Sequence, residues 1–215
     1  MQRADAGGSP VRPTKPTLNH EYIASVALAL IDRVGLGKFS MRKLGAELGV
    51  DPMAVYYYYR DQESLFDGVA EALFDELDSG TIRWESSWRE LCEEFFTRLR
   101  DTLLAHPHAV SIFATRPVRS RAAIESGERA IAVLCEAGFT PALALQLTRC
   151  LREFTIGHAQ SVAAVRLGAG LRSRKPEPGA PDYNLIARSA DAADIDAHFG
   201  VGLRAMLDGF ERPAG

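Results

Sequence analysis

Cysteine is scarce in this 215-residue chain: only Cys92, Cys135 and Cys150 occur, with no CxxC pair among them. An odd number so widely spaced argues against a disulfide scaffold or a zinc knuckle and agrees with a reducing cytoplasm. Long apolar runs are missing too. The longest stretch free of charge, Thr102 to Thr115, has 14 residues and includes His106, Pro107 and His108. A membrane span needs about 20 predominantly apolar residues, so no membrane partner is expected. Met1 to Asn19 contains no apolar core of the kind a secretory signal requires. Nowhere do β-branched residues alternate over a strand's length, and no internal repeat stands out. Neither sign of charge dominates: 25 Lys and Arg stand against 28 Asp and Glu, a net −3. The first 61 residues are slightly basic, with eight cations against six anions, and the remainder is slightly acidic. With 47% hydrophobic and 25% charged residues, the composition is that of an ordinary folded protein.

What is present is helical patterning. Residues 1–18 form a basic arm, with Arg3, Arg12 and Lys15 among prolines and glycines, and are expected to be flexible. Asn19 is an N-cap for a helix whose apolar positions, Ile23, Val26, Ala27, Leu30, Ile31 and Val34, follow the 3.6-residue period; Gly35 and Gly37 end it. Ser40 opens a second helix burying Met41, Leu44 and Leu48 and ending at Gly49, and Pro52 opens a short third one to Tyr59. A fourth runs from about Gln62 to Leu77. Further helices are expected over Trp88–His106, Ala109–Thr115, Arg121–Gly138, Pro141–Leu167, Tyr183–Ala190 and Asp194–Glu211. A Gly- and Pro-rich loop from Gly168 to Pro181 interrupts them. The fold class is therefore all-α: a three-helix head over residues 19–64 and a larger helical domain over 65–215.

Ser40 to Tyr59 has the helix-turn-helix layout, whose second helix enters the DNA major groove. Glycine at the first turn position gives the backbone freedom that the sharp change of direction needs. Tyr56, Tyr57, Tyr58 and Tyr59 are consecutive, so on a helix they point around most of its circumference and cannot share one core. Val55 and Tyr59, four apart, are the expected buried pair. Tyr56, Tyr57 and Tyr58 are then left exposed, suited to phosphate, sugar and thymine-methyl contacts.

The stretch SMRKLGAELGVDPMAVYYYYRDQESLFDGV resembles the DNA-binding domain of the tetracycline repressor (TetR) family, which carries Arg-Lys-Leu-Ala, Leu-Gly-Val, Leu-Tyr-x-His-Phe and Lys-x-x-Leu-Leu in the same order. Trp88, Thr115-Arg116-Pro117, Gly138-Phe139 and Phe154-Thr155-Ile156-Gly157 resemble that family's ligand-binding core, so the likeness covers roughly Asn19 to Phe210. It implies that Met41 and Arg42 touch the DNA edge. Pro52, Met53 and Ala54 would reach bases, Tyr56 a phosphate, and Tyr57 and Tyr58 the backbone. Two departures stand out: Tyr58 replaces a common histidine, and Gln62 replaces a lysine that grips phosphate, which removes one counterion-releasing contact.

The resemblance also implies a homodimeric, cytoplasmic repressor that binds a palindromic double-stranded operator and lets go when a small molecule enters the C-terminal domain. Effector-site candidates are Phe95, Leu99, Ile112, Thr115, Arg116, Glu128, Phe154 and Ser161, although ordinary core packing competes for each apolar one. An arginine beside a helix end is costly to bury unpaired, and Glu128 is a candidate partner for Arg116. Ligand contacts near Arg116 would shift the helix from Leu65 to Leu77. The positions that hold a magnesium–drug chelate in the family fall on Ile112 (or Phe113) and Ser161. Neither Ile nor Phe ligates magnesium, so a metal-free, more apolar effector and no cofactor are expected. His106 and His108 have spacing for two metal ligands but no evident third. Dimer contacts would come from Gly157 and Ala164 on the long helix and Phe199, Leu203, Met206 and Phe210 on the last. Packing within one subunit is the competing reading. A family member that activates, or that senses no ligand, would share all these features. A helical enzyme using Cys150, Glu153 and His158 is disfavoured, since Cys150 and His158 sit about two turns apart.

Overall fold

The computed structural model describes residues 17–116, 118–168, 185, 189 and 197–211. Among these it contains helices and no strand: α1 (His20–Val34), α2 (Met41–Leu48), α3 (Pro52–Tyr58), α4 (Gln62–Asp75), α5 (Trp88–Ala105), α6 (Val110–Thr115), α7 (Arg121–Glu136), α8 (Pro141–Arg166) and α9 (Ala197–Glu211). No described helix is long and apolar enough to cross a membrane. The arm expected before Thr17, the loop expected beyond Gly168, and the helix expected over Tyr183–Ala190 lie outside the described residues, apart from Leu185 and Ser189, which are both helical.

Local chemistry sets the helix ends. The Asn19 side chain accepts from the Tyr22 N–H, Ser40 from Lys43, Asp51 from Met53 and Asp61 from Ser64, so each of the first four helices starts on a side chain that satisfies an otherwise orphaned donor. Asp61 and Ser64 form a reciprocal capping box, and these bonds hold the Asp61 carboxyl below the ordinary carboxylate range. Gly49, at φ 66°, closes α2 in the left-handed conformation that side chains resist. The fourth helix stops at Asp75, two residues short of the expected Leu77. Asp78 takes φ 51°, and Leu77 is buried by the turn rather than by the helix.

One apolar core runs from Ile23 to Leu207 without a break. α4 is the shared element: it packs on α1 in the head and on α5, α6 and α7 in the body. A boundary at residue 64/65 therefore falls inside a helix that serves both halves. Behind it, α5 and α8 form the centre of the body, with α9 laid across both. Arg89 on α5 reaches Asp208 and, at 3.0 Å, Glu211 on α9, pinning the last helix to its own chain.

Candidate DNA interface and effector cavity

The short helix α3 crosses α2 at close range. A Cβ on Gly45 would lie 3.0 Å from the Pro52 Cα, so a small residue is needed at this crossing. Val55 and Tyr59 turn inward as their spacing requires. The Tyr59 phenol donates to the His20 carbonyl at 2.9 Å, and the Tyr58 phenol to the Leu18 carbonyl at 3.0 Å. Burial, helped by Glu71 and Glu21, pushes the Tyr59 pKa up to about 12, so it stays a donor at any ordinary pH. The end of α3 is thus lashed to the start of α1.

This lashing changes part of the expected contact set. Met53 (71% exposed), Tyr56 and Tyr57 (86%) stand out from the surface of α3, with Pro52 and Ala54 half-buried beside them and Arg42 exposed on α2. Tyr58, expected to be exposed, is instead half-buried and spends its hydroxyl on Leu18, because its place on the helix turns it toward α1 rather than outward. Met41, assigned to the DNA edge, is buried: the period that puts it in line with Leu44 and Leu48 points it into the core. Sequence reasoning passed over Arg60. It lies between α3 and α4 with 88% of its side chain exposed, close to Gln62 and able to supply the cation that Gln62 does not. The available signal was a basic residue directly after the tyrosine run.

The second site is a cavity of about 810 Å³ lined by α4, α5, α6, α7 and α8 and open to solvent on one side, within the range of small-molecule pockets. Phe95, Leu99, Thr115, Arg116 and Glu128 line it, as does Phe113, the alternative to Ile112; Trp84, Cys92, Phe96, Arg149 and Arg152 also line it and were not singled out. Burial pushes the Cys92 thiol up to about 12, leaving it protonated and unreactive. Three expected residues are elsewhere. Ile112 is packed in the core, while its neighbour Phe113 takes the cavity side of α6. Phe154 stacks on Phe199, ring centroids 5.4 Å apart, because that face of α8 carries α9. Ser161 is exposed and donates to the Gly157 carbonyl at 3.0 Å. Arg149 and Arg152 on α8 had a signal in the sequence, since they sit three apart in a helix otherwise rich in small and apolar residues.

Arg116 pairs with α4 rather than with Glu128. Its guanidinium donates to the Glu63 carbonyl at 3.0 Å, to Asp67 at 2.7 Å and to the Glu63 carboxylate, and lies 5.6 Å from the centre of the Phe66 ring. Burial lowers its pKa, but the two carboxylates more than offset this and hold it charged. One side chain therefore lines the cavity and grips the helix that follows the tyrosine-bearing one.

His106 makes a second tie between the halves. Its Nδ1 lies 2.6 Å from Asp32 on α1 and its Nε2 2.6 Å from Glu76 at the end of α4. Both ring nitrogens are thus spent on carboxylates. Among the described residues no cluster of three or more His, Cys, Asp and Glu could hold a metal. Burial lowers the His106 pKa, but Asp32 and Glu76 outweigh it and the net shift is upward from 6.5. A raised histidine pKa stabilises fully below the unfolded value, and that contribution is lost as pH rises through the folded one. The Tm should fall as pH climbs from about 6.5, and His106→Gln should flatten that slope. Parallel Tm–pH curves for the two proteins would show that the tie carries no charge-dependent stability.

The proposed dimer residues divide in the same way. Phe199 and Leu203 are buried within their own chain against α5 and α8, because the broad apolar stripe of α9 is used internally. Met206 and Phe210 are half-buried on the same core. Gly157 and Ala164 are exposed, as are Val165 and Val201. Cys150, Glu153 and His158 do not converge: His158 turns to α9, 3.2 Å from His198, while Glu153 faces solvent.

A capped helix-turn-helix head joined through a shared helix to a cavity-bearing helical body defines a helix-turn-helix DNA-binding protein with a helical ligand-binding domain. Residues 23–69 match the family model of bacterial regulatory proteins of the tetR family, and residues 84–213 that of the tetracyclin repressor-like C-terminal domain. The chain belongs to the TetR family of transcriptional regulators. It is 33% identical over 209 residues to an HTH-type transcriptional regulator of Saccharopolyspora erythraea, covering 94% of this chain and 88% of that one. To the class A tetracycline repressor of transposon 1721 from Escherichia coli it is 30% identical over 199 residues, 91% of each chain. Among solved structures it resembles class A TetR in complex with 5a,6-anhydrotetracycline and magnesium, with a TM-score of 0.68 and 26% identity over 88% of this chain and 95% of that one.

Proposed function

We propose that the protein is a cytoplasmic, homodimeric repressor that binds a palindromic operator through α3 and releases it when a small molecule fills the cavity. The observation that carries this reading is Arg116, which belongs to the cavity wall and holds α4 by Glu63 and Asp67. A ligand that displaced its guanidinium would free α4 and alter the spacing of paired reading helices, which must reach major grooves about 34–36 Å apart. Bases are contacted by Met53, Pro52, Ala54 and Arg42, and phosphates by Tyr56, Tyr57 and Arg60. Gly157, Ala164, Val165 and Val201 supply the exposed small and apolar surface through which two copies pair, with Met206 and Phe210 at its edge. Of the two positions that the family resemblance assigns to magnesium ligands, Ile112 or Phe113 offers no donor and Ser161 lies outside the cavity, which supports a metal-free effector.

The test uses a duplex selected by the purified protein from a random pool. Arg116→Ala should change affinity for that duplex by about 10-fold, the size of an ordinary allosteric coupling, while cavity binding of the neutral dye N-phenyl-1-naphthylamine persists. Unchanged DNA affinity would remove Arg116 from the relay.

A further inference from the structure

The arginines of the cavity differ in what they already hold. Among the described residues, three line it against one carboxylate, the exposed Glu128. Arg116 is committed to Glu63 and Asp67. Arg152 is not: among the described residues it makes no ion pair, and its guanidinium lies 5.7 Å from the centre of the Phe113 ring. It is half-buried, and its pKa is drawn down by desolvation, which the adjacent Glu153 offsets only in part. Arginine does not give up its proton in proteins, so the charge stays and its poor solvation is a standing cost. An anion in the cavity would relieve that cost through a charge-assisted, bidentate pair. Arg149, one helical turn earlier, lines the same cavity and adds to the local positive field. Trp84, Phe95, Phe96 and Phe113 supply aromatic surface around these cations.

We propose that Arg152 is the anion-binding residue of the cavity and that the effector is an aromatic acid, its ionised group on Arg152 and its rings among the aromatic side chains. This rests on the effector-cavity reading above and narrows it from an apolar ligand to an anionic one. A planar acid would meet the guanidinium fork edge-on, in a bidentate pair.

Two fluorescent probes that share one ring frame separate the possibilities. 8-Anilinonaphthalene-1-sulfonate carries the acid, and N-phenyl-1-naphthylamine is the same frame without it. With the purified full chain, Arg152→Gln should weaken sulfonate binding about 10-fold and leave naphthylamine binding within about twofold. Arg152→Lys should fall between, since it keeps the charge and not the fork. Sulfonate binding unaffected by Arg152→Gln would overturn the proposal, and so would an equal loss of both probes, which would mark Arg152 as a packing residue. If the naphthylamine binds the wild-type chain and the sulfonate does not, the anion site fails while the effector cavity stands. If neither probe binds, the cavity reading fails and the proposal with it.

Discussion

Tyr57→Glu should lower affinity for a selected operator duplex by about 100-fold and leave the Tm unchanged. The two halves of that expectation have separate causes. Tyr57 is 86% exposed, and its ring touches Tyr58 only edge-on, so little packing depends on it. Surface substitutions of this kind ordinarily change stability by less than about 0.5 kcal/mol. On DNA the same position would face a phosphate, and a carboxylate there removes a hydroxyl contact and adds repulsion in each of two subunits. About 1.4 kcal/mol per subunit suffices for the 100-fold loss. Gel-shift titration and thermal melts on the same preparation check both halves. A loss of Tm alongside the loss of binding would mean that the tyrosine supports the fold and not the contact.

Gly68→Ala should destabilise the chain by about 2 kcal/mol, and with it the hold of α4 on α3. A Cβ at Gly68 would land on the Tyr59 phenol oxygen and lie 2.9 Å from its Cζ. Tyr59 cannot step aside cheaply, being buried and hydrogen-bonded to the His20 carbonyl. Overpacking costs about 1–3 kcal/mol and a broken buried hydrogen bond about 1–3 more, against a gain of about 1 kcal/mol in helix propensity. For a chain of this length the Tm should drop by roughly 5 °C. Tyr59→Phe should recover part of the loss when combined with Gly68→Ala, because it removes the atom nearest the new methyl. A Tm equal to or above that of the wild type would show that α4 and Tyr59 do not meet as described.

Asn19, Ser40, Gly49 and Pro52 act on their own helix ends, so the head could be read from spacing alone, and the helix-turn-helix follows from them. Val55 and Tyr59 follow from helical periodicity. Tyr58 does not, because its burial depends on where the chain before α1 runs, 40 residues away. Arg116 could be recognised as needing a counter-ion, but Glu63 and Asp67 are 53 and 49 residues earlier, and nothing local favours them over the nearer Glu128. Phe199 and Leu203 form a clear apolar stripe. A stripe does not say whether it will be covered by its own chain or by a second copy, and here α5 and α8 cover it. The cavity was traceable only in fragments, since its lining comes from five helices and includes Arg152, whose interest lies in having no carboxylate partner among the described residues.

The most direct measurement replaces Met53, 71% exposed on α3, with p-benzoylphenylalanine and irradiates the protein on its selected duplex. Base crosslinks should appear in two half-sites whose centres lie one helical turn of DNA apart, about 10–10.5 base pairs or a multiple of that. The same probe at Leu167, exposed at the end of α8 and outside the cavity, should give none. Crosslinking from Leu167 and not from Met53, or from neither on a duplex the protein demonstrably binds, would contradict the assignment of α3 as the DNA-reading helix.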